Sequence, residues 1–217
     1  MTKVITFASS KGGAGKSTLC VNLAAFFVHS GKKVTLLDVD PQKSAYDWIT
    51  ESSDNLLTQV TPFHLSNESE IENIIEQTES DVVCIDLQGS LINSPFFALA
   101  IADVVLVLCR PSRDDIVGVG WILKLNELSL EKYPMSDAKV IAVLNAVNSR
   151  SVVYHHIKKQ IKDDNINSLS TSVPQVVAFA EANINRVSVM NVEGKAKSTI
   201  LSIGHELTQK LFTYPQY

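Results

Sequence analysis

A short turn rich in small residues, Lys11-Gly12-Gly13-Ala14-Gly15-Lys16-Ser17-Thr18, follows the β-forming Val4-Ile5-Thr6-Phe7 and precedes an apolar-periodic stretch that opens at Leu19. Strand, glycine turn and helix in that order commit the chain to a loop whose backbone amides converge on a helix start. Such a loop suits a polyphosphate. The glycines let the backbone close around the anion without Cβ obstruction, the helix start offers unpaired N–H groups and its positive dipole end, and Lys16 adds a mobile charge. Ser17 follows as a hydroxyl able to ligate Mg²⁺. The usual spacing, G-x-x-x-x-G-K-[ST], would place its first glycine at position 10, where this chain has Ser10, and a second lysine, Lys11, stands near the start of the loop. Wrapping one nucleotide does not require that lysine, so it points to a second task.

At 217 residues, with 45% hydrophobic and 19% charged residues, the chain has ordinary globular composition and the length for one well-buried core, so a single domain over 1–217 is expected. Strand-like and helix-like segments alternate. Strands are predicted over 3–8, 33–38, 60–65, 81–86, 103–109, 139–144 and 168–173, and helices over 17–30, 68–79, 95–101, 114–131, 151–163, 175–183 and 196–212. Val82-Val83-Cys84-Ile85 and Val104-Val105-Leu106-Val107-Leu108 are apolar without alternation, which marks strands buried on both faces. This pattern predicts an α/β fold, a doubly wound and mostly parallel sheet with helices on both faces. Cys20, Cys84 and Cys109 each sit in an apolar run and read as buried thiols rather than disulfides or a metal site. Glycines and Lys11 interrupt the N-terminal apolar stretch where a signal peptide would continue, and no apolar run reaches the roughly 20 residues of a membrane span, so a cytoplasmic location is expected.

Ligands of such sheets bind beyond the carboxyl ends of the strands. Asp38-Val39-Asp40-Pro41-Gln42, Asp86-Leu87-Gln88-Gly89-Ser90 and Arg110-Pro111-Ser112 all follow predicted strands and so gather at the edge of the glycine loop. Asp86, after four apolar residues, places a carboxylate where Mg²⁺ held by Ser17 would balance its charge. Asp38 and Asp40 flank Val39, and in an extended stretch their carboxylates would share a face able to orient a metal-bound or attacking water. A plain turn role for Asp38 stays open beside that one.

The loop K-G-G-x-G-K-[ST]-[ST] resembles the ParA/MinD family of deviant Walker A ATPases, and D-x-D-P-Q resembles the ParA branch. The resemblance continues through Ala102-Asp103 with its apolar strand, Pro111, Asp115 and the strand ending in Leu144-Asn145. It implies ATP and Mg²⁺ as ligands. Gly12, Gly13, Ala14, Gly15 and Lys16 would cradle the phosphates, Ser17 would ligate the metal and Thr18 would reach the α-phosphate. By the same carry-over Lys11 crosses a dimer interface to the partner's phosphates, Asp40 positions or activates the hydrolytic water, Asp38 supports the magnesium site and Asp86 holds a magnesium-bound water. Asn145 and Pro174 fall where relatives contact the base, with ordinary turn roles open for both. The family commonly has D-x-P-P where this chain has Asp86-Leu87-Gln88-Gly89, which leaves the motion of that segment on hydrolysis in question.

The resemblance further implies an ATP-linked homodimer acting in plasmid or chromosome partition, with nonspecific DNA and a centromere-binding adaptor protein as partners and an association with the nucleoid. The first predicted strand begins two residues in, so no N-terminal helix-turn-helix domain is expected. Net charge is −4, so DNA binding must come from a local patch or from dimerisation, with Lys158, Lys159, Lys162, Arg186, Lys195 and Lys197 as candidates for the patch. A MinD-like positioning ATPase at the membrane and a weakly hydrolysing scaffold are the alternatives. Against the membrane, Ile200, Ile203, Leu207 and Leu211 recur at helical spacing but only Lys210 is basic nearby, which reads as a stripe packed on the sheet.

Overall fold

The computed structural model describes residues 2–67, 69–89, 96–134 and 138–212; Ser90 of the predicted Asp86–Ser90 segment lies outside them. Among the described residues, strands β1 (Lys3–Ala8), β2 (Val34–Asp38), β3 (Val60–His64), β4 (Val82–Asp86), β5 (Val104–Cys109) and β6 (Lys139–Leu144) form one sheet in the order β3-β2-β4-β1-β5-β6. Every pairing is parallel. The helices are α1 (Lys16–His29), α2 (Ser44–Thr50), α3 (Ser69–Gln77), α4 (Phe96–Ala100), α5 (Arg113–Lys132), α6 (Val152–Asp163), α7 (Val177–Ile184) and α8 (Lys195–Phe212). The doubly wound α/β architecture expected from the alternation is the one observed.

Successive strand residues point to opposite faces, and both faces are covered. Ile5, Phe7, Leu36, Cys84 and Leu106 pack with α1, α2, α7 and α8; Val4, Leu37, Val83, Ile85, Val105 and Val107 pack with α3 to α6. Helix α1 is buried nearly all round, from Leu19 to Val28, as the spine of the first layer. Helix α8 crosses it where Gly204 faces the Phe26 ring so closely that a Cβ could not be accommodated. The α8 stripe Ile200, Ile203, Leu207 and Leu211 is buried in that layer, as its spacing predicts. The three cysteines are free and buried.

Two elements differ from expectation. The segment 168–173 is not a strand: Ser168 bridges to Ala142, the Val173 amide donates to the Leu144 carbonyl, Pro174 just past it bridges to Val147 beyond β6, and in between Ser170 turns to Glu206. Helix α2, absent from the predicted elements, folds between β2 and β3 because its first amides find a carboxylate acceptor described below. Edge strand β3 carries Pro62, a position where the missing N–H is tolerated.

Register fixes the working edge of the sheet. Asp86 lies level with Asp38 on one neighbouring strand and with Phe7, just before the glycine loop, on the other.

Candidate functional site

Between β1 and α1 the backbone turns through Gly13 at φ +71° and Gly15 at φ +90°, left-handed conformations that strain any residue with a Cβ. Gly15 immediately precedes α1 and no side chain caps that helix. Its first-turn amides therefore stay open at the loop, an anion site by construction. Lys16, only 6% exposed, runs along the floor of the site, while Thr18 forms part of a neighbouring cavity wall.

Asp86 is fully buried at the end of β4, and among the described residues neither carboxylate oxygen has a hydrogen-bond partner. Burial pushes its pKa up to about 7, and neighbouring Asp38 adds to the rise; the Ser17 hydroxyl and Lys16 amine pull the other way without overcoming it. An ionisable oxygen pair left unsatisfied beside a hydroxyl and a phosphate-type loop has the donor chemistry to hold a cation. The donor set, carboxylate plus hydroxyl, suits a hard divalent cation such as Mg²⁺.

Asp38 takes up the turn role left open for it. Its Oδ1 accepts the Asp40 amide at 3.0 Å and its Oδ2 accepts the Ala45 and Tyr46 amides at 2.9 Å, so it caps α2 and shapes the loop between. Burial raises its pKa against the pull of those amides. Nor do Asp38 and Asp40 share a face of an extended stretch: β2 ends at Asp38, and Asp40 sits in the following turn, its Oδ1 accepting the Gln42 amide at 2.9 Å. Extended geometry stops because Asp38 draws the chain back onto itself, leaving Asp40 half-buried at the rim.

Lys11 is exposed and pairs with Asp114 at 3.2 Å and Asp115 at 3.7 Å, both in the first turn of α5. Ser10, standing where the usual spacing has glycine, fits because α5 presents Gly118 to it. Gly89 lies against Gly12, and a Cβ there would come within 2.7 Å of the Gly12 Cα and 3.3 Å of the Lys16 Nζ. Gly120, two residues on in the same helix, faces open space, so the glycine pattern alone does not single out Gly118.

Asn145, at the end of β6, donates from Nδ2 to the Ala14 carbonyl at 2.5 Å and lies against Gly15. Its amide therefore braces the loop with one N–H, and Oδ1 and the second Nδ2 hydrogen are left to meet a ligand. Asn145 and Pro174 line a cavity of about 360 Å³ together with Gly13, Gly15, Thr18 and Arg110. The expected base-side pair is thus assembled beside the loop, and Arg110, placed at this edge by the strand pattern, lines the same cavity.

Residues 5–189 match the family model described as the CobQ/CobB/MinD/ParA nucleotide binding domain. The chain belongs to this family. It is 32% identical over 184 residues to Protein ParA of Rhizobium radiobacter, covering 82% of this chain and 80% of that one. It is 26% identical over 207 residues to Maintenance of carboxysome distribution protein A of Halothiobacillus neapolitanus, covering 94% of each. Among solved structures, a putative plasmid partition protein from Borrelia burgdorferi bound to AMPPNP superposes with a TM-score of 0.72 at 16% identity, over 97% of this chain and 100% of that one. Within the family's nucleotide-binding domain, the glycine loop, Asp86 and the Asn145 cavity occupy one edge of the sheet, as Lys11 does at its rim.

Proposed function

We propose that this ParA-family ATPase binds Mg·ATP at the glycine loop, dimerises through it and hydrolyses it slowly to time a DNA-segregation cycle. The observation that carries the reading is the buried, unpartnered carboxylate of Asp86 beside Ser17 and Lys16. Lys16 and the amides from Gly12 to Gly15 hold the β- and γ-phosphates, and Thr18 reaches the α-phosphate. Ser17 and Asp86 would hold Mg²⁺, Asp86 through a bound water, and the metal when bound supplies positive charge across the phosphate oxygens. Asp40, at the rim, positions the attacking water, and Asp38 sets Asp40 by gripping its amide. Lys11 leaves its α5 carboxylates to meet the triphosphate of a second copy, where a placed cation stabilises developing charge.

DNA is the proposed cargo track, reached in the cytoplasm on the nucleoid, with a centromere-binding adaptor as the stimulating partner. Two of the six candidate cations are already paired, Arg186 with Glu51 and Lys197 with Glu193. Lys158, Lys159 and Lys162 on the outer face of α6 are the ones this reading uses. The membrane alternative loses support because the α8 stripe it would need is consumed by the core.

The test is nucleotide binding by Asp86→Asn. Magnesium should tighten ATP binding to the parent chain at least tenfold and do almost nothing for the variant; equal magnesium enhancement in both would sink the assignment. Turnover that duplex DNA leaves unchanged, together with no ATP-dependent retention on DNA, would remove the segregation role while leaving the ATPase.

A further inference from the structure

We infer that Arg110 is a nucleotide-binding residue whose guanidinium meets the sugar and α-phosphate portion of the ligand from within the same protomer. This rests on the reading that the cleft takes ATP. Strand β5 lies between β1, which leads into the glycine loop, and β6, which ends at Asn145, and Arg110 is the first residue beyond β5. A ligand with its phosphates on Gly13, Gly15 and Thr18 and its ring beside Asn145 and Pro174 must pass the end of β5. Arg110 lines the cavity at that crossing, its side chain 45% exposed.

The side chain is held for this task. The Arg110 amide donates to Asp115 Oδ2 at 2.8 Å, and Nε pairs with the same oxygen at 3.4 Å. Asp115 is itself buried, with its Oδ1 accepting the Ser112 hydroxyl at 2.9 Å. Burial alone would raise the Asp115 pKa, but the Arg110 amide and the Ser112 hydroxyl bring it below the ordinary value, so the anchor stays ionised at neutral pH. One edge of the guanidinium is therefore tied down, while its two terminal nitrogens make no hydrogen bond to protein among the described residues. A planar fork with one anchored edge suits two neighbouring acceptors, such as a phosphate oxygen and a ribose hydroxyl. An exposed ion pair serving the surface alone would gain little and would not need the cleft.

Arg110→Ala should weaken Mg·ATP and Mg·ADP by the same factor, roughly ten- to hundredfold by titration calorimetry, because the contacted portion is common to both. Arg110→Lys keeps a cation beside Asp115 and loses the fork, so it should fall between the parent and the alanine variant; it also carries the test if the alanine variant does not fold. Unchanged affinity for both nucleotides overturns the assignment, as does a loss confined to ATP, which would mean a γ-phosphate or cross-subunit role. A parent chain that binds neither nucleotide overturns the underlying reading instead.

Discussion

Asp54 accepts the amide and the hydroxyl of Ser188, each at 2.7 Å, and the Leu56 amide at 2.8 Å, and so joins segments 134 residues apart. Asn22 does the same from α1: its Nδ2 donates to the Thr18 carbonyl at 2.7 Å and its Oδ1 accepts the Val189 amide at 2.8 Å. The chain beyond α7 is thereby buttoned to the helix that carries the phosphate loop. Burial on its own would raise the Asp54 pKa, but the Ser188 amide and hydroxyl, with help from Leu56 and Asn191, bring it below the ordinary value. A carboxylate depressed on folding contributes stability that is fully present above its unfolded pKa, near 4, and lost as pH falls through the folded value. Asp54→Asn should therefore cost about 2 kcal/mol at pH 7, and the gap from the parent should narrow below about pH 4. Urea unfolding at both pH values would check this, and a gap that widens in acid would refute it. Neither residue stood out in the sequence, because the partners that tie the segments together, Ser188 and Val189, are remote.

Helix α5 reaches the loop through Gly118, where a Cβ would stand 2.5 Å from the Ser10 Cβ. Helix propensity taken alone predicts that Gly118→Ala gains about 1 kcal/mol. The contact predicts the opposite, a loss of about 1–3 kcal/mol, with the gain restored when Ser10→Gly is added. A double-mutant cycle by chemical denaturation decides, and a stabilising single substitution would rule out the contact. The same scale shows what was readable. Continuous apolar runs gave β4 and β5 within a residue, and glycine chemistry placed the loop. Helix α2 was not readable because seven residues carry little periodicity and its nucleation depends on Asp38, whose sequence neighbours suggested a metal instead. The stretch 168–173 has strand composition, yet its bridge to β6 is the isolated one at Ser168, and Pro174 bridges to Val147 beyond that strand.

At the scale of the molecule, the two lysines of the loop differ in burial and partners. Lys16 is buried at the site and Lys11 is exposed at its rim, paired to carboxylates that the proposed function would have it exchange for a partner's phosphates. Lys16→Ala should lower ATP affinity at least tenfold, whereas Lys11→Ala should bind ATP nearly as the parent does but sediment as a monomer with it. Dimers of Lys11→Ala formed with ATP would contradict the role across the interface.

Strand β1 is the centre of the sheet, yet both strands that pair with it, β4 and β5, come much later in the chain. Its hairpin-free position means that no local pairing can hold the phosphate loop in shape. Long-range closures of this kind are slow. During synthesis or refolding the ability to grip a nucleotide should therefore emerge late, once the downstream strands have arrived, so that ATP stabilises finished molecules and offers nothing to partly made ones.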